Sequence, residues 1–347
     1  MGSARRIAWT AGGAFAAFYI FYTAAPVAFA DATLGAGARV GIVMAVVVVV
    51  QPIVGLLGRW ATRRRQVTSA AISMGVGSAI MPLAGHWPGM LLLAVGFGIF
   101  VVASTAQIKE TAPAGLLGRA LGIYGFGSAI GGALGAPLGL ILIEQFGSLG
   151  TAVVGSLVAL TSTLPALRVR TTVSSDVSPV ESAASENAPR ASRLWSGSGL
   201  IGLGAHLLAV TIYAAALSGL ASGQTGRGTW LPVLAALAIQ GSLAIGRMTG
   251  GWAVVRWSPL AVGTSALVLL LLGAAGIALL DPLSSLMLTA TIGVGFASGA
   301  CQTVALTWLM QRADTTAGIN RASAAWNICF DVGLGLGALA VGAMANR

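Results

Sequence analysis

The stretch VGIVMAVVVVVQPIVGLLGR at positions 40–59, followed by Arg63, Arg64 and Arg65, decides the fold class. No residue between Arg39 and Arg59 is charged, and the run matches the ~20 residues a helix needs to cross hydrocarbon. A helix on the surface of a soluble protein would show a polar stripe. This one is apolar all round and ends in arginines, so it reads as a membrane span that leaves the bilayer on a basic side.

The pattern recurs along the chain. Of 347 residues, 56% are hydrophobic and 8% charged, against about 25% charged in a soluble domain. Eleven stretches are long and apolar enough to span, roughly 8–30, 38–58, 67–86, 88–108, 120–143, 149–167, 195–221, 229–255, 259–280, 284–310 and 320–345. The expectation is an all-α integral membrane protein with the lipid bilayer as its first partner. The run from Trp9 to Ala30 is too long for a cleavable signal. The 49 glycines are scattered through the spans, where small residues let helices approach closely in lipid.

Several function classes are excluded on this basis. The net charge of +10 sits in short loops and is not interleaved with aromatics, so no nucleic-acid partner is expected. Cys301 and Cys329 offer neither a disulfide framework nor a metal spacing. There is no Gly-Lys-Ser/Thr phosphate loop, no HExxH and no nucleophile–base pairing, so no enzymatic activity, cofactor or ATP drive is expected.

Loop charge sets the orientation. With the N-terminus inside, Arg5, Arg6, Arg59, Arg63, Arg64, Arg65, Lys109, Arg119, Arg168, Arg170, Arg190, Arg193, Arg247, Arg256, Arg312 and Arg321 fall on the cytoplasmic side; Arg39, Arg227 and Arg347 fall opposite. Sixteen against three fixes a cytoplasmic N-terminus in a multi-pass chain of the bacterial inner (plasma) membrane.

Residues 169–194 break the apolar pattern, being rich in Ser, Ala and Pro and carrying Asp176, Glu181 and Glu186. They read as a flexible cytoplasmic linker between an N-terminal six-helix bundle, 1–168, and a C-terminal five-helix bundle, 195–347. The two halves also align. Setting Arg119 against Arg321 puts Tyr124 opposite Trp326, Gly131 opposite Gly333 and Gly135 opposite Gly337. Gly96-Phe97-Gly98 answers Gly293-Val294-Gly295 after a five-residue shift. Internal repeats of this kind are typical of secondary transporters.

Three segments resemble the major facilitator superfamily. The opening stretch, with Gly55 and then the basic residues to Arg65, is similar to its loop 2–3 signature, echoed by Gly246-Arg247-Met248-Thr249-Gly250-Gly251. Gly122, Gly131, Gly135, Ala136 and Pro137 resemble the helix 5 pattern of proton-coupled drug exporters, with the proline one position late. Trp326-Asn327 through Asp331, Gly333, Gly335 and Gly337 look like helix 11 of bacterial exporters of this type. The resemblance implies a two-bundle helical transporter working by alternating access. Within it Gly131, Gly135 and Pro137 would serve gating.

Two departures accompany it. The family's loop 2–3 Asp, which helps latch helix 2 to helix 11, is replaced by Arg59, and its counterpart in the second half is Val254. An Arg59–Asp314 pair, a latch of reversed polarity, is the expectation that follows. The second half also supplies five spans where the family has six. The absent twelfth is a peripheral helix, and a truncated chain explains it equally well.

Asp331 is the most informative residue. A carboxylate near mid-membrane costs about 3 kcal/mol to insert, which argues for proton coupling or a substrate cation. The structural alternative is a pair with Arg247 at similar depth. Asn327, one turn before Asp331, would share its hydrogen-bond network. Gln302 is expected to line the cavity ahead of Gln51, Gln107 and Gln240. His206 could titrate but reads better as a hydrogen-bonded packing residue, as do Tyr19 and Tyr22. Pro137 is the one intrahelical proline whose glycine-rich context favours a bending point.

The expected function is a secondary transporter, with small-molecule substrate and protons as partners, exporting amphipathic or drug-like compounds as an antiporter. The alternatives are a metabolite-uptake symporter and a transport-inactive sensor or pseudo-transporter.

Overall fold

The computed structural model describes residues 1–28, 36–54, 61–83, 86–169, 196–222, 230–280 and 285–345. Among these there is no strand, and helix follows helix. They are α1 (Gly2–Ala28), α2 (Ala36–Val50, running into a 3-10 turn Gln51–Ile53), α3 (Arg63–Ile80), α4 (His86–Thr111), α5 (Leu117–Thr161), α6 (Thr163–Leu167), α7 (Gly197–Ser222), α8 (Trp230–Arg256), α9 (Pro259–Leu279), α10 (Ser285–Gln311) and α11 (Thr316–Ala345). Arg59 and positions 170–194 of the expected linker lie outside the described residues, so the reversed latch is not visible; Asp314 is exposed between α10 and α11.

Seven of the described segments are long and apolar enough to cross a membrane. One of them, Leu117–Leu167, has 51 residues, more than two passes require. The sequence divides it into 120–143 and 149–167, and the backbone breaks between those two ranges. Gly147 has φ 63° and ψ −168°, the single non-helical residue within α5, a conformation that glycine adopts without penalty. Thr151 then donates to the Gly147 carbonyl at 2.8 Å and steadies the start of the second arm. Pro137, the expected bending point, keeps helical dihedrals.

Apolar side chains coat the outside. Leu140, Ile141, Phe146, Leu149, Val153 and Leu157 on α5 and Leu271, Leu272 and Leu279 on α9 are all exposed. Water would disfavour such a surface, and hydrocarbon is the solvent it suits.

Inside, small residues set the helix spacing. α5 lies on α1 along a seam where a Cβ at Gly131 would run into the backbone of Gly12, and one at Gly135 into Ala16. α11 lies on α7 in the same manner, a Cβ at Gly333 coming 2.8 Å from Val210 and one at Gly337 meeting Thr211 and Ala214. Gly98 of α4 fits against Val47 of α2, while Gly295 of α10 fits against Ile239 of α8. The aligned glycines Gly131 with Gly333, Gly135 with Gly337 and Gly98 with Gly295 therefore occupy corresponding helix contacts, whereas Gly96 packs on α3 and its counterpart Gly293 has nothing within 4 Å of an added Cβ.

The helix ends that carry the arginines are tied together on one side, here termed the basic face. Arg6 of α1 donates to the Arg168 carbonyl at 2.7 Å. Arg63 of α3 pairs with Glu110 of α4 at 2.8 Å. Arg119 at the start of α5 stacks over Trp252 near the end of α8, 5.5 Å from its ring centre. Arg63 is thus a buried cation committed to a pair with the more exposed Glu110, whereas its neighbours Arg64 and Arg65 are exposed.

Candidate functional site

A cavity of about 650 Å³ opens at the centre of the helices, a size suited to a small organic ligand. It draws its wall from α1, α2, α4, α5, α7, α8, α10 and α11. Aromatic rings dominate: Phe18 stacks on Phe97 at 3.8 Å between centres, and Tyr19, Tyr22, Tyr213 and Phe330 complete much of the surface. The lining reaches along α1 to Tyr22, along α7 to Ser218 and along α11 to Leu339, away from the basic face.

Toward the basic face the helices close. Thr105 of α4 and Ser323 of α11 share a short hydrogen bond, and Ser323 also donates to the Val102 carbonyl at 3.0 Å. At the start of α5, Gly118 meets the Val254 side chain, and a Cβ on Gly122 would sit 2.9 Å from the Arg247 carbonyl. Leu306, Leu309 and Met310 of α10 join the apolar core built by α1 and α4. Val254, at the position of the family's second-half carboxylate, forms part of an apolar seal.

Asp331 stands in the cavity wall. It lies fifteen residues from the start of α11 at Thr316 and fourteen from its end at Ala345, which is mid-helix. Its Oδ2 accepts from Gln51 Nε2 at 2.8 Å. Gln51 sits in the 3-10 turn at the end of α2, so this bond joins α2 to α11. The alternative Asp331–Arg247 pair is not formed: among the described residues the one ion pair is Arg63–Glu110. Gln51 occupies the carboxylate, and Arg247 is held elsewhere.

Arg247 of α8 also lines the cavity yet is only 5% exposed. Its Nε and Nη2 both donate to Gln302 Oε1, at 3.0 and 2.5 Å. Its Nη1 donates to the Gly125 carbonyl at 3.3 Å and to Ser128 Oγ at 3.0 Å. The guanidinium lies 5.6 Å from the Phe330 ring centre. All its hydrogen-bond acceptors are neutral.

The remaining candidates are redistributed. Gln302 is fully buried behind Arg247 and donates to Ser298 Oγ at 3.0 Å; it orients the guanidinium and is not part of the wall. Gln240, bonded by the Tyr213 hydroxyl, is the glutamine of α8 that reaches the cavity. Asn327 lines the cavity but donates to the Ser323 carbonyl at 2.8 Å, one turn back, and not to Asp331. His206 is fully buried, contacts the Trp326 carbonyl at 3.1 Å through Nε2 and stacks on the Trp326 ring at 4.6 Å, a packing arrangement. Gly131 and Gly135 belong to the α1–α5 interface, and Pro137 is half-buried on α5. Tyr19 and Tyr22, expected to be packing residues, face the cavity. Tyr213 and Ser128, which the sequence reading did not single out, also line the cavity.

These features together define a polytopic helical membrane protein whose largely apolar, aromatic central cavity holds a few charged and polar groups, the architecture of a secondary transporter. The chain belongs to the Major Facilitator Superfamily, whose family model matches residues 7–338. Its fold is similar to that of FucP, a transporter of this superfamily in the outward conformation, at TM-score 0.72 and 14% identity over 99% of this chain and 92% of that one. A variant of the E. coli fucose:proton symporter FucP gives TM-score 0.70 and 12% identity over 99% and 91%. The proton:xylose symporter XylE, bound to 6-bromo-6-deoxy-D-glucose, gives TM-score 0.71 and 14% identity over 99% and 88%. No curated protein matches the sequence.

Proposed function

We propose that this chain is a secondary active transporter working by alternating access, with the central cavity as its substrate site and Asp331 as the proton-linked group. The carrying observation is the cavity itself: it holds an intramembrane carboxylate and closes toward the basic face through Thr105–Ser323 and Gly118–Val254. An ionisable residue at that depth is costly unless it serves a path. The bundles 1–168 and 195–347 are the rocking units, with the linker of 169–194 cytoplasmic. With the basic face cytoplasmic in a bacterial inner membrane, the site opens outward. The Gln51–Asp331 bond spans the two bundles, so a change of proton occupancy at Asp331 acts directly on their contact.

The apolar, aromatic wall suits small amphipathic or drug-like compounds, and the helix 5 and helix 11 patterns favour their export in exchange for protons. Uptake by proton symport is the second reading, supported by the likeness to FucP and XylE, which are proton symporters. A compound panel on inverted vesicles with a lumenal pH dye tests the proposal. Substrate-dependent proton release from acidified vesicles supports exchange, and proton movement in the substrate's own direction supports symport. No proton response across the panel would leave the transport-inactive alternative.

A further inference from the structure

We propose that the cavity selects organic monoanions: compounds with an aromatic or apolar body and one carboxylate, the carboxylate docking on Arg247. This deepens the transporter reading above and rests on it.

The inference starts from charge balance. Arg247 is nine-tenths buried in the cavity wall, and its acceptors, Gln302, Ser128 and the Gly125 carbonyl, are all neutral. A buried guanidinium without a carboxylate is expensive, yet the surrounding side chains do not neutralise it. Asp331 makes no ion pair with it, its Oδ2 accepting instead from Gln51 across the α2–α11 contact. Among the described residues no carboxylate lies within 4 Å of Arg247. When Asp331 holds a proton, the cavity carries the single positive charge of Arg247. An anion entering at that moment supplies the missing partner, so proton and anion are held together, which favours the symport reading over exchange.

The shape of the wall extends the argument to the body of the ligand. Phe330 lies under the guanidinium, and Gln302 grips its Nε edge, which fixes the direction of the group. Guanidinium–carboxylate pairing is strong and geometrically demanding. Around it stand Tyr19, Tyr213, Phe18 and Trp326, surfaces that pack against rings and alkyl groups. Sugars would leave most of that wall uncompensated, and cations would meet Arg247 with like charge.

The test compares three near-isosteric probes, 3-phenylpropionate, 3-phenylpropanol and 3-phenylpropylamine, on the purified full chain. Quenching of the cavity tryptophan Trp326, read against a Trp326→Phe control, reports binding. The expected result is that the anion binds about tenfold or more tightly than the alcohol, the scale of one charge-assisted hydrogen bond, and that the amine binds weakest. Arg247→Gln should erase the anion preference, and Arg247→Lys, which keeps the charge, should retain it with reduced affinity. If Arg247→Gln does not fold, the wild-type and lysine comparisons decide. Equal affinity for the three probes, tighter binding of the alcohol or amine, or no binding of the anion overturns the inference. Proton flux driven by a neutral or cationic compound would overturn it while leaving the transporter reading intact.

Discussion

Gln51 at the end of α2 donates to Asp331 at the middle of α11 at 2.8 Å, a bond between residues 280 positions apart that ties α2 to α11 beside the central cavity. In this geometry the intramembrane carboxylate is both a wall residue and a fastener, and the predictions start from it.

Replacing Gln51 by Leu keeps the volume and removes the donor. The carboxylate then loses a hydrogen bond that, to a charged group, is worth about 1.5–3 kcal/mol. Transport rates in reconstituted vesicles should fall on the order of tenfold or more, with expression preserved. An unchanged rate would mean the bond takes no part in the cycle.

The α1–α5 seam makes a stability prediction. Gly131→Ala drives a Cβ into the Gly12 backbone and should destabilise by roughly 1–3 kcal/mol, read as a lower melting temperature in detergent. Gly293 of α10 has nothing within 4 Å of an added Cβ, so Gly293→Ala should be neutral or mildly stabilising. Equal effects at the two sites would contradict the close-packing account.

The seal at the basic face rests on Gly118 and Val254. Gly118→Ala places a methyl against the Val254 side chain and should loosen the closed face, raising labelling of a cysteine placed at Thr105. Combining it with Val254→Ala makes room again and should restore the low labelling. Additive effects of the two changes would show that they do not meet.

Arg63 and Glu110 form a pair of which Arg63 is the buried member. Glu110→Gln strips the guanidinium of its charged partner and should lower thermal stability by about 1–3 kcal/mol. Arg64→Gln, one residue along and exposed, should cost less than about 0.5 kcal/mol. The ordering of the two, measured side by side, is the check.

Much of this arrangement was legible in sequence because it rests on composition. Apolar length gave the all-helical membrane class, with seven of the described segments long and apolar enough to span, and it divided α5 near Gly147; the aligned glycines Gly131 with Gly333 and Gly135 with Gly337, read as a repeat, fall at matching contacts. Asp331 stood out for a physical reason as well, since a carboxylate is rare at that depth. The partners of these residues were not legible. Arg247 and Asp331 sit at comparable depth on α8 and α11, and depth alone cannot tell a shared ion pair from two separate networks. Which face of α10 carries Gln302 depends on how it packs against α8, and that rotation put Gln302 behind the guanidinium. Tyr19, Tyr22 and Tyr213 are equally at home in a packed interface or a cavity wall, so only the bundle's geometry distinguishes the two.

The most direct measurement is transport by the Asp331→Asn variant in vesicles, assayed both as net flux under an imposed proton gradient and as substrate exchange at equal pH. Asparagine keeps the shape of the site and can still bond Gln51, but cannot release a proton. The account predicts that the variant loses gradient-driven flux while retaining exchange, because the cavity survives and its proton linkage does not. Gradient-driven flux at the wild-type rate in Asp331→Asn would contradict it.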